Sequence, residues 1–301
     1  MNVLLAGAGV IGTVFGAQLV TAGHTVDVCR HGARTAAIDL DGLRSHDTVT
    51  GTDHHVGVAV VADWPDRDYD LVLVCVWAEQ IPHLLDDLRP LSGSPVLLVF
   101  GNNPPGHAVA AGTLRTQLHL GFPGVGGSFN GDTVDYMRIP QQPSTLETGG
   151  GWPVTEFERA LTAGGFAVRR TDEMDGWLAY HAVFIGSVAA ALERSGGDAA
   201  VLAENRPLLG LMCRSIEEGF EALDRRGVRG APTNLRRLHR PALRPFAVRY
   251  WARTMRSPMG EQCFAAHARR ARPEMRLLAH DAIEQVTGDA HVDHLRWLLD
   301  R

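Results

Sequence analysis

The sequence predicts an α/β domain with a doubly wound, mostly parallel sheet, followed by an all-helical domain. Three observations support this fold class. Short apolar runs alternate with helical patterns through residues 1–100, a glycine-rich loop follows the first apolar run, and the pattern is almost wholly helical after residue 172. Alternating strands and helices of this length are typical of a parallel sheet covered on both faces. We expect residues 1–170 to form the first domain and residues 171–301 the second.

The individual elements follow from apolar and β-branched runs bounded by glycine or polar residues. Strands are predicted over residues 2–6, 24–29, 56–61, 71–76, 95–100 and 133–139. Helices are predicted over residues 11–22, 36–40, 81–88 and 154–163. In the second domain, helix breaks are expected at 196–197, 227–232, 241–245 and 257–260. The boundary between the domains is expected between residues 150 and 173.

Charge and composition argue against several classes of protein. The chain has 301 residues and a net charge of −5, so it lacks the basic balance of a typical nucleic-acid-binding protein. The four cysteines have no Cys-x-x-Cys spacing, which argues against a metal site or a disulfide framework. The apolar N-terminus is interrupted by glycine, unlike a signal peptide, and no apolar run is long enough for a membrane helix. We expect a cytoplasmic protein that acts on a small molecule, without metal, nucleic acid or membrane.

A Gly-x-Gly-x-x-Gly motif lies between the first predicted strand and the first predicted helix, which is the setting in which this motif binds a dinucleotide. The first glycine permits a tight turn, the second lets a pyrophosphate approach the backbone, and the third lets helix and strand pack closely. Free N–H groups and the helix dipole then favour the phosphates. The motif predicts a Rossmann-type domain that contacts its coenzyme through Gly7, Ala8, Gly9, Val10, Ile11 and Gly12.

The end of the second strand indicates which coenzyme is bound. NAD-binding domains usually carry an acidic residue there, whereas an arginine suits the 2′-phosphate of NADP. Asp27 lies too early in the strand for the ribose position, but Arg30 is at the expected place and Arg34 follows one helical turn later. A guanidinium group can form two hydrogen bonds with phosphate oxygens. We therefore predict NADP(H) as the cofactor. The alternative is that both arginines are ordinary surface residues.

These motifs resemble the ketopantoate reductase family over most of the chain. The resemblance rests on the glycine loop, Arg30, residues 33–44, the strand at 71–76, the asparagine-containing loop after residue 100 and the helical second domain. It implies reduction of a 2-keto acid with NADPH, and a homodimer formed through the helical domain. It also implies that the coenzyme is contacted by Val76, Trp77 and either Asn102 or Asn103.

The catalytic residues of that family are not all present. The chain contains no lysine, because all 29 residues counted as lysine or arginine are arginine. Trp77 and Trp177 occupy the two positions where the family has lysine, so a lysine acid is excluded. Ser257 matches the family's late serine, and Glu274 matches its late glutamate only if a short insertion is allowed. These departures argue against ketopantoate as the substrate.

Reduction of a carbonyl or imine needs a proton donor and a group that stabilises the developing negative charge. On the helix predicted over residues 175–192, one face is apolar except for His181. Histidine titrates near neutral pH, so we predict His181 as the proton donor, with Tyr180 as a weaker candidate. Trp177, Ile185 and Ser257 are predicted to bind the substrate. The alternatives are a core histidine and an ordinary helix–helix packing stripe.

The sequence therefore predicts an NADPH-dependent oxidoreductase that reduces the carbonyl or imine of a small, partly apolar molecule. Two alternatives are also enzymes, namely a dehydrogenase working in the oxidation direction and an opine-type reductive amination. An alternative of a different class is a dinucleotide-binding sensor or regulator without catalysis, which the missing lysine favours.

Overall fold

The computed structural model describes residues 1–29, 38, 41–61, 67–88, 93–110 and 117–300. The chain divides into two compact units, Met1–Asp172 and Glu173–Arg301. The first unit has mixed α/β structure, and the second is helical throughout its described elements, which confirms the predicted fold class. Arg30, Arg34 and, apart from Ile38, the helix predicted over residues 36–40 lie outside the described residues.

The described strands of the first unit are β1 Asn2–Ala6, β2 Thr25–Cys29, β3 Leu43–Asp47, β4 Asp53–Val56, β5 Ala59–Val61, β6 Leu71–Val74, β7 Val96–Phe100, β8 Leu118–Phe122, β9 Val125–Asn130, β10 Thr133–Arg138, β11 Ser144–Glu147 and β12 Val168–Thr171. The helices are α1 Val10–Thr21, α2 Ile81–Asp87 and α3 Gly151–Ala163, with short 3-10 turns at Ala78–Gln80 and Gly106–Val109.

The main sheet has eight strands in the order β12-β11-β8-β7-β6-β1-β2-β5. Its described pairings are parallel except that of β8 with β11. Because β1 lies between β2 and β6, the strand order reverses there, and ligands of such sheets bind at the carboxyl ends beside that point. Phe15 of α1 fixes the helix against the sheet, with its ring 5.0 Å from Phe100 and 5.2 Å from Phe166.

A second sheet, which the sequence analysis did not predict, has the order β4-β3-β10-β9. The single strand predicted over residues 56–61 is wrong, because β4 ends at Val56, β5 begins at Ala59, and the two strands belong to different sheets. The sequence of β3 is polar, although three of its five residues are buried. Asp47 is fully buried and accepts a hydrogen bond from Arg138 Nε at 2.8 Å, which joins β3 to β10.

The described helices of the second unit are α4 Met174–Arg194, α5 Ala199–Glu204, α6 Arg206–Arg225, α7 Thr233–Leu238, α8 Arg244–Met255, α9 Ala266–Arg270, α10 Arg272–Gln285 and α11 Asp293–Leu299, with a 3-10 turn at Pro241–Leu243 and a π-helical segment at Gly260–Ala265. α4 is the central helix and packs against α6, α10 and α11. It has the length and hydropathy of a membrane-crossing helix, but 83% of its most apolar window is buried, which is the pattern of a core helix.

Candidate functional site

The glycine loop between β1 and α1 has the geometry that its first glycine is expected to provide. Gly7 adopts a φ of +102°, a conformation that L side chains rarely adopt. A Cβ atom at this position would lie 2.6 Å from the carbonyl oxygen of Cys75 and 2.8 Å from Val76 Cγ1. Only glycine therefore allows the loop to pass this close to the chain that follows β6.

The other two glycines of the motif differ in the space around them. A Cβ atom at Gly12 would lie 1.9 Å from the carbonyl oxygen of Gly7, so Gly12 permits the close approach of helix and loop. At Gly9, no atom lies within 4 Å of the position that a Cβ would take. The backbone at Gly9 is exposed and open, as required where a pyrophosphate meets the chain.

The start of α1 is suited to an anion. Gly9 is the N-cap residue, no side chain caps the helix, and its first turn carries no acidic residue. The N–H of Thr13 donates to the carbonyl oxygen of Gly9, which is the first hydrogen bond of the helix. The N–H groups before it have no acceptor within the helix. Unused N–H groups and the positive end of the helix dipole attract phosphate. The residues present therefore fit a dinucleotide.

Asp27 has a structural role. Its carboxylate is buried, and it accepts hydrogen bonds from the hydroxyl of Tyr69 at 2.8 Å and from Arg67 Nη1 at 2.6 Å. Both of these contacts of the Asp27 carboxylate lie within the domain. They are consistent with the prediction that Asp27 does not bind a ribose. The residues that follow β2, including Arg30 and Arg34, lie outside the described part of the chain.

The loops after β6 and β7 contribute the remaining predicted coenzyme contacts. Val76 packs beside Gly7. Trp77 is exposed, and its backbone N–H donates to Gln80 Oε1 at 3.2 Å. Asn103 is buried, and its Nδ2 donates to the carbonyl oxygen of Gly106 at 3.0 Å. Because Asn103 closes this turn, the partly exposed Asn102 is the better candidate of the two for a coenzyme contact.

His181 on α4 lies in an almost wholly apolar environment. Its ring stacks on Trp177, with centroids 5.1 Å apart and planes 8° apart, and Phe184 meets it at 5.9 Å. Only 4% of the residue is exposed. Burial, with a smaller contribution from the charge of His267, lowers the pKa of His181 from 6.5 to about 3. The imidazole is therefore neutral at neutral pH, so it can donate a hydrogen bond but carries no extra proton.

The other predicted residues of this region have local structural contacts. The hydroxyl oxygen of Tyr180 lies 2.5 Å from Asp224 Oδ1 and 3.0 Å from the carbonyl oxygen of Val228, so its one hydrogen is donated within this cluster and ties α4 to the end of α6. Ser257 follows α8 and donates to the carbonyl oxygen of Thr254 at 2.6 Å. Trp177 and Ile185 share a buried face of α4 with His181, but the described contacts do not bring Ser257 to that face.

A titratable pair that the sequence analysis did not predict as a unit lies in the same domain. Glu274 of α10 is 3% exposed, and its Oε2 is 3.6 Å from His267 Nε2. The side chain of His267 remains 31% exposed. Burial lowers the pKa of His267 to about 4. The sequence offered Glu274 only as an uncertain alignment, because nothing local shows that a glutamate in a basic helix is buried.

The buried histidines should make the protein sensitive to acid. Burial lowers the pKa of His239 to about 4, as it lowers those of His181 and His267. Below the ordinary value of 6.5 the unfolded chain takes up protons at these sites while the folded chain does not, so the free energy of unfolding falls as pH decreases from about 6.5 to 4. Chemical denaturation at several pH values across this range measures the effect. The free energy of unfolding should fall less steeply with decreasing pH in His239→Gln than in the wild type.

The exposed His83 of α2 supplies the matched control for the substitution itself. His83→Gln should retain the wild-type free energy of unfolding at neutral pH. If the free energy of unfolding depends equally on pH in the wild type and in His239→Gln, the buried imidazole of His239 does not contribute to the acid sensitivity.

These features define a Rossmann-type domain whose glycine loop fits a dinucleotide, followed in the chain by a helical unit. Residues 3–114 match the family model of ketopantoate reductase PanE/ApbA. This match includes the glycine loop and the chain that follows β6 and β7, and it confirms the resemblance expected from the sequence. No curated protein sequence matches the chain.

Solved structures with the same fold align with nearly the whole chain. The 2-dehydropantoate 2-reductase from Methylococcus capsulatus is 16% identical, with a TM-score of 0.69 and coverage of 99% of this chain and 94% of that one. A structure of D-mandelate dehydrogenase with NADH and anilino(oxo)acetate is 14% identical, with a TM-score of 0.66 and coverage of 99% and 97%. The PanE/ApbA family ketopantoate reductase from Ralstonia eutropha is 19% identical, with a TM-score of 0.62 and coverage of 95% and 99%. At these identities the likeness establishes the fold.

Proposed function

We propose that the protein is an NADPH-dependent oxidoreductase that reduces the carbonyl or imine group of a small, partly apolar molecule. The observation that carries this proposal is the open backbone at Gly9 above the uncapped start of α1. It lies in a segment that matches the ketopantoate reductase model. A backbone cradle of this kind fits the pyrophosphate of a nicotinamide dinucleotide.

When bound, the nicotinamide coenzyme supplies the hydride. The chain has to bind the coenzyme, orient the substrate and provide the proton. The loop at residues 7–12 holds the pyrophosphate, and Val76, Trp77 and Asn102 are the proposed contacts farther along the coenzyme. Trp177, Ile185 and Ser257 are the proposed substrate contacts. His181 offers a neutral imidazole N–H in a dry setting, where a hydrogen bond to a developing oxyanion is most effective.

The coenzyme preference rests on Arg30 and Arg34, which follow β2 in the sequence. Losing one charge-assisted phosphate contact costs about 1.5–3 kcal/mol, which is roughly tenfold to a hundredfold in affinity. Arg30→Ala should weaken binding of NADPH by that factor and leave binding of NADH nearly unchanged, as measured by titration calorimetry. Arg159→Ala is the matched control, because the side chain of Arg159 is 70% exposed on α3.

An equal loss of affinity for both coenzymes in Arg30→Ala would contradict the assignment of the 2′-phosphate. NADH is the coenzyme to compare, because one protein of the same fold, D-mandelate dehydrogenase, was solved with NADH. Comparing the wild-type affinities for NADH and NADPH under identical salt conditions distinguishes the two preferences directly.

The proposed substrate class is a 2-oxo acid or a related carbonyl or imine compound with an apolar group. Two observations favour an apolar group: Trp177 and Ile185 are apolar residues on one buried face of α4, and a protein of the same fold was solved with anilino(oxo)acetate. The direct test is oxidation of NADPH with ketopantoate, aryl and alkyl 2-oxo acids, simple ketones and cyclic imines. Turnover of the aryl or alkyl compounds above ketopantoate is the expected result, and the reverse ranking would contradict it.

A second candidate is a dinucleotide-binding sensor or regulator, which the absence of lysine from the chain favours. Tight NADPH binding without turnover of any compound in the panel, in either direction or with added amine, would support this candidate against the enzyme. We further propose a cytoplasmic homodimer that binds no metal, nucleic acid or membrane. Light scattering on the purified protein tests the dimer, and a monomeric mass at working concentration would contradict it.

A further inference from the structure

Glu274 is an unusually placed acidic residue. It lies in the first turn of α10 and is 3% exposed, whereas the side chain of Glu284 on the same helix is 67% exposed. The helix dipole favours a carboxylate in a first turn, but removal from water is costly unless a specific partner compensates for it. A buried carboxyl group with a titratable neighbour is a frequent feature of functional sites.

The partner is His267 of α9, whose Nε2 lies 3.6 Å from Glu274 Oε2. The geometry of the pair is held by the backbone between them. The N–H of Ala271 donates to the carbonyl oxygen of His267 at 2.8 Å, and the N–H of Met275 donates to that of Ala271 at 2.8 Å. Because the imidazole is 31% exposed and the carboxyl group is not, the pair has one end that water reaches and one end that it does not.

Arg269, two residues after His267, has contacts outside the pair. Arg269 on α9 forms an ion pair with Glu261 of the π-helical segment and donates to the carbonyl oxygen of Gly197 at 2.8 Å. Arg272 and Arg276 on α10 are exposed. A pair made of one imidazole and one carboxyl group can remain neutral by holding a single shared proton. Burial lowers the pKa of His267 to about 4, which favours the arrangement with a neutral imidazole.

The pair adjoins the face of α4 that carries the proposed substrate contacts. α9 packs against α4, and the charge of His267 contributes to lowering the pKa of His181. The two imidazoles therefore lie on helices that contact each other within the helical unit. His181 is enclosed by Trp177 and Phe184, whereas His267 retains an exposed edge. Of the two, only His267 can exchange protons with solvent directly.

We infer that His267 is the proton donor of the reduction proposed above, on which this inference rests, and that Glu274 is the positioning residue that renews its proton. A bound nicotinamide coenzyme would supply the hydride for the new C–H bond, and the electron pair of the C=O bond would move to oxygen. The Nδ1–H bond of His267 breaks as its proton joins that oxygen. The O–H bond of Glu274 breaks as Nε2 of His267 takes the proton, which leaves a neutral imidazole and a carboxylate. Water at the exposed edge of His267 then restores the lost proton.

The experiment compares steady-state kinetics of His267→Gln and Glu274→Gln with the wild type, using the best carbonyl substrate of the panel. Both variants should lower kcat by about a hundredfold or more, because general acid catalysis typically contributes 10²–10⁴-fold. The KM for NADPH should remain within about twofold of the wild-type value. Glu274→Asp keeps the acid and should retain more of kcat than Glu274→Gln, which an exclusively structural role would not predict. Glu284→Gln is the matched control on the exposed side of α10 and should retain wild-type kcat.

Each outcome has a defined consequence. Wild-type turnover together with unchanged kcat in His267→Gln and Glu274→Gln overturns the inference and leaves the proposed function intact. NADPH binding without wild-type turnover overturns the proposed function and the inference together. If Glu274→Gln does not fold, as judged by circular dichroism, His267→Gln and Glu274→Asp decide the matter. A large loss of kcat in His267→Gln, with a smaller loss in Glu274→Asp, supports the inference.

Discussion

Gly9→Val is expected to abolish coenzyme binding while the protein remains folded. The backbone at Gly9 has a φ of −72°, which a β-branched residue can adopt, and no atom lies within 4 Å of the position of its Cβ. The substitution therefore creates no clash within the protein. Its side chain would instead occupy the space where a pyrophosphate meets the backbone. We expect affinity for NADPH to fall by at least about a hundredfold, or roughly 2.7 kcal/mol, in a fluorescence titration.

Two variants give this prediction its controls. Gly57→Val also meets no atom within 4 Å, and it lies before the amino end of β5, at the opposite edge of the parallel sheet. It should bind NADPH like the wild type. Gly12→Val places its Cβ 1.9 Å from the carbonyl oxygen of Gly7, so it should destabilise the domain itself. A folded Gly9→Val protein that binds NADPH normally would refute the assignment of this loop.

The coenzyme loop could be predicted from sequence because its determinants are local. Gly7, Gly9 and Gly12 fall within six consecutive residues. Gly7 and Gly12 are required by nearby atoms of the loop and of the chain after β6, and the space at Gly9 is open. The second sheet could not be predicted in the same way. Ser45 of β3 pairs with Val134 of β10, far along the chain, and β3 carries arginine, histidine and aspartate. A polar strand of this kind is recognisable only when its distant partner is known.

The helical unit shows the same limit for individual residues. The apolar face of α4 was predicted from its period, but the period does not report how deeply His181 is buried. Depth of burial depends on the helices packed against α4, and the rings of Trp177 and Phe184 contact His181. That depth changes the chemistry, because it lowers the pKa of His181 to about 3 and removes the property for which histidine was chosen. The pairing of His267 with Glu274 likewise depends on the turn that joins α9 to α10.

His181→Phe is expected to lower kcat by about a hundredfold with little change in the affinity for NADPH. Phenylalanine keeps an aromatic ring that can stack on Trp177, so the apolar packing of α4 is preserved. The ring has no N–H group, so a hydrogen bond to the developing oxyanion is lost. Removing one such donor typically costs about 10²–10³-fold in kcat. Steady-state kinetics with the best substrate of the panel measures this loss, and circular dichroism confirms that the variant is folded.

His181→Asn separates the two chemical roles that this histidine could have. An amide can donate a hydrogen bond but cannot deliver a proton, so Asn should retain more of kcat than Phe if the neutral imidazole acts as a hydrogen-bond donor. The sequence-based choice of His181 as an acid predicts no such difference. Because burial holds the pKa of His181 near 3, the pH profile of kcat near neutrality should have the same shape in wild type and His181→Asn. Wild-type kcat in His181→Phe would show that His181 is a core residue, and the search for the oxyanion-stabilising group would then move to His267.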